Sequence, residues 1–340
     1  MKAIVYQQPE EFELVEVADP EPGAGEVLID VELAGVCGTD LHLHHGEFGP
    51  AWPLTPGHEF VGRVAAVGSG VDGPVVGDRV VADNTVQCGT CDNCRRGLPA
   101  HCHHVVAHGV NAPGAFAERI VLRADRCFVV NDLEPEVAVL AEPTACVMRG
   151  LDVLGAAPGS RVLVFGAGPT GLLLSQLLKK NAGVEQLVIA APSQAKLDLA
   201  LAQGADQAVR IDRDDPSAAQ QRLVELADGG FDVVVDVTGA VSVLQQTTDL
   251  VRTGGTILVY GMADEAATWP ISPYEVFRRE LTIKGSFAQQ FSFDRAVAAL
   301  RSGTLDTRGI VTDRFSLADY QRALDAISDS AVVKSVNHPR

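Results

Sequence analysis

The stretch "RVLVFGAGPTGLLLSQLLKKNAG", residues 161–183, limits the folds open to this chain more than any other. A four-residue apolar run, too short for a helix, fits a strand buried on both faces. Glycines follow, and then an apolar run at helical length. Residues 166–171, "GAGPTG", match G-x-G-x-x-G in the strand–turn–helix setting that gives the motif meaning. Gly166 permits the tight turn, Gly168 lets a pyrophosphate approach the backbone, and Gly171 lets helix and strand pack closely. Phosphates then rest on the helix N-terminus, where unpaired N–H groups and the dipole favour negative charge.

Strand and helix signals go on alternating through "QLVIAA", "AKLDLALAQGA", "FDVVVDVTG", "VSVLQQTTDLV" and "GTILVYG". That order predicts an α/β, doubly wound parallel sheet with helices on both faces. As its last strand, "GTILVYG" is expected at an edge able to pair with a second copy. We therefore expect a homo-oligomer, a tetramer rather than a dimer. The second strand ends in "IAAPSQAK", with Ala191 where a carboxylate would hold a ribose 2′-hydroxyl. Without that acid a 2′-phosphate is not repelled, and Ser193 and Lys196 can donate to it. NADP(H), or dual NAD(P)(H) use, is expected.

The first 130 residues read differently. "KAIVYQ", "EFELVEV", "EVLIDVELAGV" and "EFVGRVAAVGSGV" are β-rich runs broken by glycine turns, as in a small barrel. "LGAAPGS" (154–160) reads as a linker between two domains. With 27 Lys and Arg against 44 Asp and Glu, the net charge of −17 disfavours nucleic acid and anionic membrane surfaces as partners. No basic-then-apolar leader or membrane-length apolar run is seen. Seven cysteines, spaced unlike a secreted disulfide scaffold, fit reduced thiols in the cytoplasm.

Four of those cysteines, Cys88, Cys91, Cys94 and Cys102, form C-x2-C-x2-C-x7-C. Four thiolates at this spacing suit one tetrahedral zinc with no open position, a loop staple rather than a catalyst. An iron–sulfur cluster is the chemical competitor. The flanking His101, His103 and His104 are alternative ligands. An open site must lie elsewhere. "AGVCGTDLH" supplies Cys37, Thr39 and His42, "PGHEFVG" supplies His58 and Glu59, and "AEPTACVMRG" supplies Glu142. One thiolate, one imidazole and one carboxylate leave a zinc a position for an alcohol oxygen, whose proton it acidifies.

Taken together, "CGTDLH", "PGHEFVG", "GDRV", the four-cysteine run, "EP" and "GAGPTG" resemble the zinc-dependent medium-chain dehydrogenases over essentially the whole chain. Their polyol (sorbitol- and arabinitol-type) branch is the most similar. The resemblance implies a GroES-like catalytic domain over 1–153 and 285–340, with a structural zinc lobe at about 86–104. A Rossmann domain over 154–284 completes it, with the active site in the cleft between. It implies Cys37, His58 and Glu59 as catalytic zinc ligands, with Glu142 approaching the metal or ligating it in some states. Thr39 and His42 match a relay for the alcohol proton, and Cys88, Cys91, Cys94 and Cys102 match the structural zinc site, giving two zincs per chain. Pro169, Thr170, Thr238, Gly261, Met262 and Phe287 join the glycines, Ser193 and Lys196 on the cofactor.

The expected activity is hydride transfer between a polyol and the nicotinamide, giving the ketose. An L-threonine 3-dehydrogenase-like or other secondary-alcohol activity, a phosphorylated polyol with Arg149 as its anchor, and a non-enzymatic NADPH-sensing protein are the alternatives. Sorbitol dehydrogenases carry an arginine where this chain has Ala288 in "IKGSFAQQ", so Gln289 and Gln290 are read either as substitutes for holding hydroxyls or as surface residues.

Overall fold

A computed structural model describes residues 1–339, and it separates into two units. The first comprises Met1–Ala145, Gln289–Gly303 and Ile310–Arg340, the second Cys146–Ala288 and Thr304–Gly309.

The second unit holds the six-stranded parallel sheet. Across it run Gln207–Arg210, Gln186–Ala191, Arg161–Phe165, Phe231–Asp236, Val251–Val259 and Thr282–Gly285. In chain order this is 3-2-1-4-5-6, with the switch point beside Arg161–Phe165. Val162 to Phe165 are wholly buried, which is why the run reads as unbroken hydrophobicity rather than alternation. At roughly 1.5–3 kcal/mol for each fully buried large apolar side chain, such strands supply much of the unit's stability.

One expectation changes here. "GTILVYG" does not form the edge: Val251–Val259 is interior, and the short strand Thr282–Gly285 pairs alongside it. Pattern reading passed over "TIKG" because four residues with a charge carry little strand signal. The two compact units meet in sequence within the helix Ala141–Leu154, and "LGAAPGS" lies at the end of that helix. Residues 304–309 join the second unit because the buried side chains of Gln176 and Gln203 both donate to the Asp306 carbonyl, at 3.0 Å each.

In the first unit a mostly antiparallel seven-stranded sheet runs Val311–Ser316, Lys334–His338, Glu26–Gly35, Glu59–Val67, Arg79–Ala82 and Cys127–Val129, with Arg119–Arg123 also paired to Glu26–Gly35. Phe116, Ile29, Val27 and Tyr320 fill its core. The central strand Glu26–Gly35 positions the site. Gly35 at its end pairs with Glu59 on one side and Val336 on the other. The chain then turns at once into the helix Gly38–His44, with Cys37 at its extended N-cap. Two strand ends, a neighbouring strand and a helix N-terminus therefore meet at one edge.

Candidate active site

At that edge one ligand atom each from Cys37, His58 and Glu59 lies within 4.8 Å of the others. His58 and Glu59 are buried, and Cys37 is half-buried. Asp40, which pattern reading overlooked, organises the set. Its Oδ2 accepts the Cys37 backbone N–H at 2.9 Å, and its Oδ1 faces His58 Nδ1 at 3.5 Å, an electrostatic contact too long for a hydrogen bond. With Nδ1 turned to Asp40, His58 has Nε2 for a metal. Burial opposes a charged imidazole, yet Asp40, followed by Cys37, outweighs it and raises the His58 pKa well above its ordinary value. The anions call for a cation at this point.

Lys334, from the strand on the far side of Gly35, was also missed. It is 3% exposed, forms an ion pair with Glu59 Oε2, and donates to the Val36 carbonyl at 3.3 Å. Burial works against its charge, but Glu59 and then Cys37 more than restore it, so its pKa is raised. A side chain at position 35 would force Glu59 and Lys334 to shift. A Cβ there would lie 2.3 Å from Glu59 Oε2 and 2.9 Å from Lys334 Cε.

Asp40 Oδ1, His58 Nδ1 and Glu59 Oε2 are buried without a hydrogen bond of good geometry. Together with a thiolate, imidazole and carboxylate donor set, this fits a divalent metal with an open position. Thr39 Oγ1 sits 3.8 Å from Cys37 Sγ, and His42 Nδ1 contacts Glu47 Oε2 at 2.9 Å, a further partner not anticipated. Glu142, in the first turn of Ala141–Leu154, stands outside the 4.8 Å set.

Cys88, Cys91, Cys94 and Cys102 form the second convergent group, again within 4.8 Å. Cys88 Sγ accepts the N–H of Cys91 at 3.3 Å and of Thr90 at 3.5 Å; Cys102 Sγ accepts those of Cys88 and His104. The Thr90 and Cys91 amides draw the Cys88 thiol down to about 5, whereas burial among the other sulfurs pushes Cys94 up to about 12. Amides aimed at sulfur are what a closed zinc–thiolate site requires. Of the flanking histidines, His103 pairs instead with Asp92 at 2.7 Å.

Gln289 and Gln290 are not available to a substrate as proposed from sequence. Gln289 is 5% exposed and donates to Asp83 and Asn84 at 3.0 and 2.8 Å. Gln290 donates to the Gly97 carbonyl in the four-cysteine lobe. The two amides tie this segment to the lobe. Cys127, left over from both metal groups, has its thiol pushed up to about 12 by burial.

In the second unit the glycine turn has the required geometry. Gly166 has φ 107°, open in practice only to glycine. A Cβ on Gly171 would sit 1.9 Å from the Gly166 carbonyl oxygen, whereas one on Gly168 would meet nothing within 4 Å. Gly168 N-caps the helix Pro169–Leu177, so that space lies before unpaired helix amides, which fits a pyrophosphate. Thr238 donates its hydroxyl to buried Asp236 at 2.6 Å, and Gly261 packs against the backbone of Thr238 and Gly239. Met262 is half-buried and Phe287 is 53% exposed. Ser193 caps the helix Gln194–Ala202 by accepting the Lys196 N–H at 3.5 Å. Ala191 pairs in register with Arg210 on the neighbouring strand. Val188, Ala190 and Val209 enter the core with Leu223, so by alternation Ala191 and the exposed Arg210 project side by side from the opposite face. Only strand register brings that arginine to the position.

Family comparisons agree with both units. Residues 23–132 match the alcohol dehydrogenase GroES-like domain, and residues 169–302 match the zinc-binding dehydrogenase domain. D-arabinitol dehydrogenase 1 of Uromyces fabae is 43% identical over 340 residues, covering 100% of this chain and 97% of that protein. D-altritol 5-dehydrogenase of Agrobacterium fabrum strain C58 is 36% identical over 94% of each chain. A zinc-binding dehydrogenase from Sinorhizobium meliloti 1021, solved bound to NADP, superposes with a TM-score of 0.93 at 32% identity over 99% of both chains. With its thiolate–imidazole–carboxylate cluster, four-cysteine lobe and glycine-turn sheet, the chain belongs to the zinc-dependent medium-chain dehydrogenase family.

Proposed function

We propose that this protein oxidises a secondary hydroxyl of a polyol to the ketose, reversibly, with NADP(H) as its preferred cofactor. The convergence of Cys37, His58 and Glu59 carries the reading, and full-length likeness to a D-arabinitol dehydrogenase narrows the substrate to sugar alcohols. In this reading Cys37, His58 and Glu59 hold a catalytic zinc, Glu142 approaches it, and the four-cysteine lobe holds a second, structural zinc. When bound, zinc would acidify the substrate hydroxyl, and a nicotinamide cofactor would supply the hydride acceptor. Thr39 takes the hydroxyl proton and passes it toward His42, whose contact with Glu47 orients the ring and whose partial exposure lets the proton leave to water. One polyol and one oxidised cofactor thus become one ketose, one reduced cofactor and one proton.

Gly166, Gly168, Pro169, Thr170 and Gly171 bind the pyrophosphate, with Thr238, Gly261, Met262 and Phe287 along the nucleotide. Ser193, Lys196 and Arg210 recognise the 2′-phosphate, which the absence of an acid at Ala191 admits. The working form is a cytoplasmic homo-oligomer, a tetramer, joined through the edge strand Thr282–Gly285. Exposed Ile283 on that strand, and Phe277 in the helix before it, at 79% exposure, support this surface. Among the described residues no helix is long and apolar enough to cross a membrane.

Nicotinamide absorbance, read against pentitols, hexitols, simple secondary alcohols and threonine with NAD and NADP, tests the function. Turnover with a pentitol or hexitol and NADP is expected. Turnover with threonine alone would overturn the substrate class.

A further inference from the structure

Lys334 does more than fill space beneath the open site. The carboxylate of Glu59 has a buried ammonium on one oxygen, and its ligand oxygen lies within 4.8 Å of the ligand atoms of Cys37 and His58. Gly35 has no side chain, so Lys334 and Glu59 meet directly across the strand end. Lys334 itself is anchored, at 3% exposure, by donation to the Val36 carbonyl. Cys37, Asp40 and Glu59 supply the acidic groups of this cluster, and Lys334 sets one fixed positive charge against them at Glu59.

Resting on the metal-site reading above, we propose that Lys334 is a positioning residue for Glu59. It holds the carboxylate in place and draws negative charge away from the ligand oxygen, so the metal is held less tightly than by a free carboxylate and keeps its Lewis acidity. Loss of the ammonium would take one positive charge from beside Glu59 and leave the metal as that carboxylate's cation. The ion should then be bound more tightly, not less. A lysine that served only to support the strand predicts the opposite, because a loosened site loses its metal faster.

The test uses the full chain loaded with Co(II), with transfer to a chromogenic chelator followed by stopped flow and the visible Co(II) bands recorded. For Lys334→Met, release from the open site is expected to slow at least ten-fold with shifted bands, while the Cys88–Cys102 lobe releases its ion at the wild-type rate. Lys334→Arg, which restores the cation, should return both readouts toward wild type. Unchanged or faster release in Lys334→Met, with unshifted bands, would overturn the proposal. Should that variant fail to accumulate, Lys334→Gln carries the same expectation, since its amide can still donate to Val36. A wild-type chain that takes up Co(II) only at the four-cysteine lobe would overturn the open-site reading itself, and the role of Lys334 with it.

Discussion

Asp40 joins the backbone of Cys37 to the ring of His58, accepting the Cys37 N–H with one carboxylate oxygen and facing His58 Nδ1 with the other. Two proposed ligands from separate elements therefore share one orienting anion. Asp40→Asn keeps the size and one acceptor but removes the charge. Loss of such an outer partner typically weakens metal binding about 10- to 100-fold. Chelator competition should show that loss at the open site alone, with one tightly held zinc remaining per chain. Equal affinity in both proteins would mean that Asp40 only caps its helix.

The glycine turn allows two substitutions to be told apart. Gly171→Ala drives a methyl into the Gly166 carbonyl, a backbone collision that cannot be relieved by a rotamer change. It should destabilise by about 3 kcal/mol or more. Gly168→Ala meets no protein atom within 4 Å. It should melt close to wild type yet lose at least ten-fold in cofactor affinity, because its methyl enters the space assigned to the pyrophosphate. Thermal unfolding and fluorescence titration with NADPH separate the two. Unimpaired binding by Gly168→Ala would remove the pyrophosphate from this turn.

Cofactor choice is tested at the pair Ala191 and Arg210. Arg210→Ala should weaken binding of 2′,5′-ADP about ten-fold and leave 5′-ADP unchanged, as expected for loss of a charge-assisted contact. Ala191→Asp puts a carboxylate where the 2′-phosphate would sit and should shift the preference toward NAD. Calorimetric titration reads both. Parallel losses for the two nucleotides would place Arg210 outside the recognition of the phosphate.

Residues that carry chemistry by their spacing were legible before any coordinates. The four cysteines, "GHE" and "GAGPTG" announce themselves because metal geometry and the pyrophosphate turn fix residue type and interval together. Asp40 was available in principle, three residues after Cys37 at the spacing of a helix N-terminal box, but a carboxylate in a first turn has the simpler reading of a cap. Lys334 and Arg210 had no such signal. One lies 275 positions from Glu59 and the other 19 from Ala191, and only strand pairing unites them. The interior place of Val251–Val259 was hidden for a related reason, since the strand that covers it is four residues long.

Gln289 gives the last prediction, because sequence and structure disagree about it. Pattern reading left it either against a substrate hydroxyl or on the surface, whereas its amide nitrogen is used by Asp83 and Asn84 in a nearly solvent-free position. Asp83 is held in turn by Arg126 at 3.3 Å and accepts from Thr85 at 2.6 Å. Gln289→Leu leaves the two acceptors short of a donor, at a cost of about 1–3 kcal/mol. It should also loosen the attachment of the four-cysteine lobe, whose Gly97 carbonyl is bound by the adjacent Gln290. The expected result is a lower melting temperature and faster release of the structural zinc, with KM for the polyol changed less than two-fold. A selective rise in KM at wild-type stability would return Gln289 to the substrate.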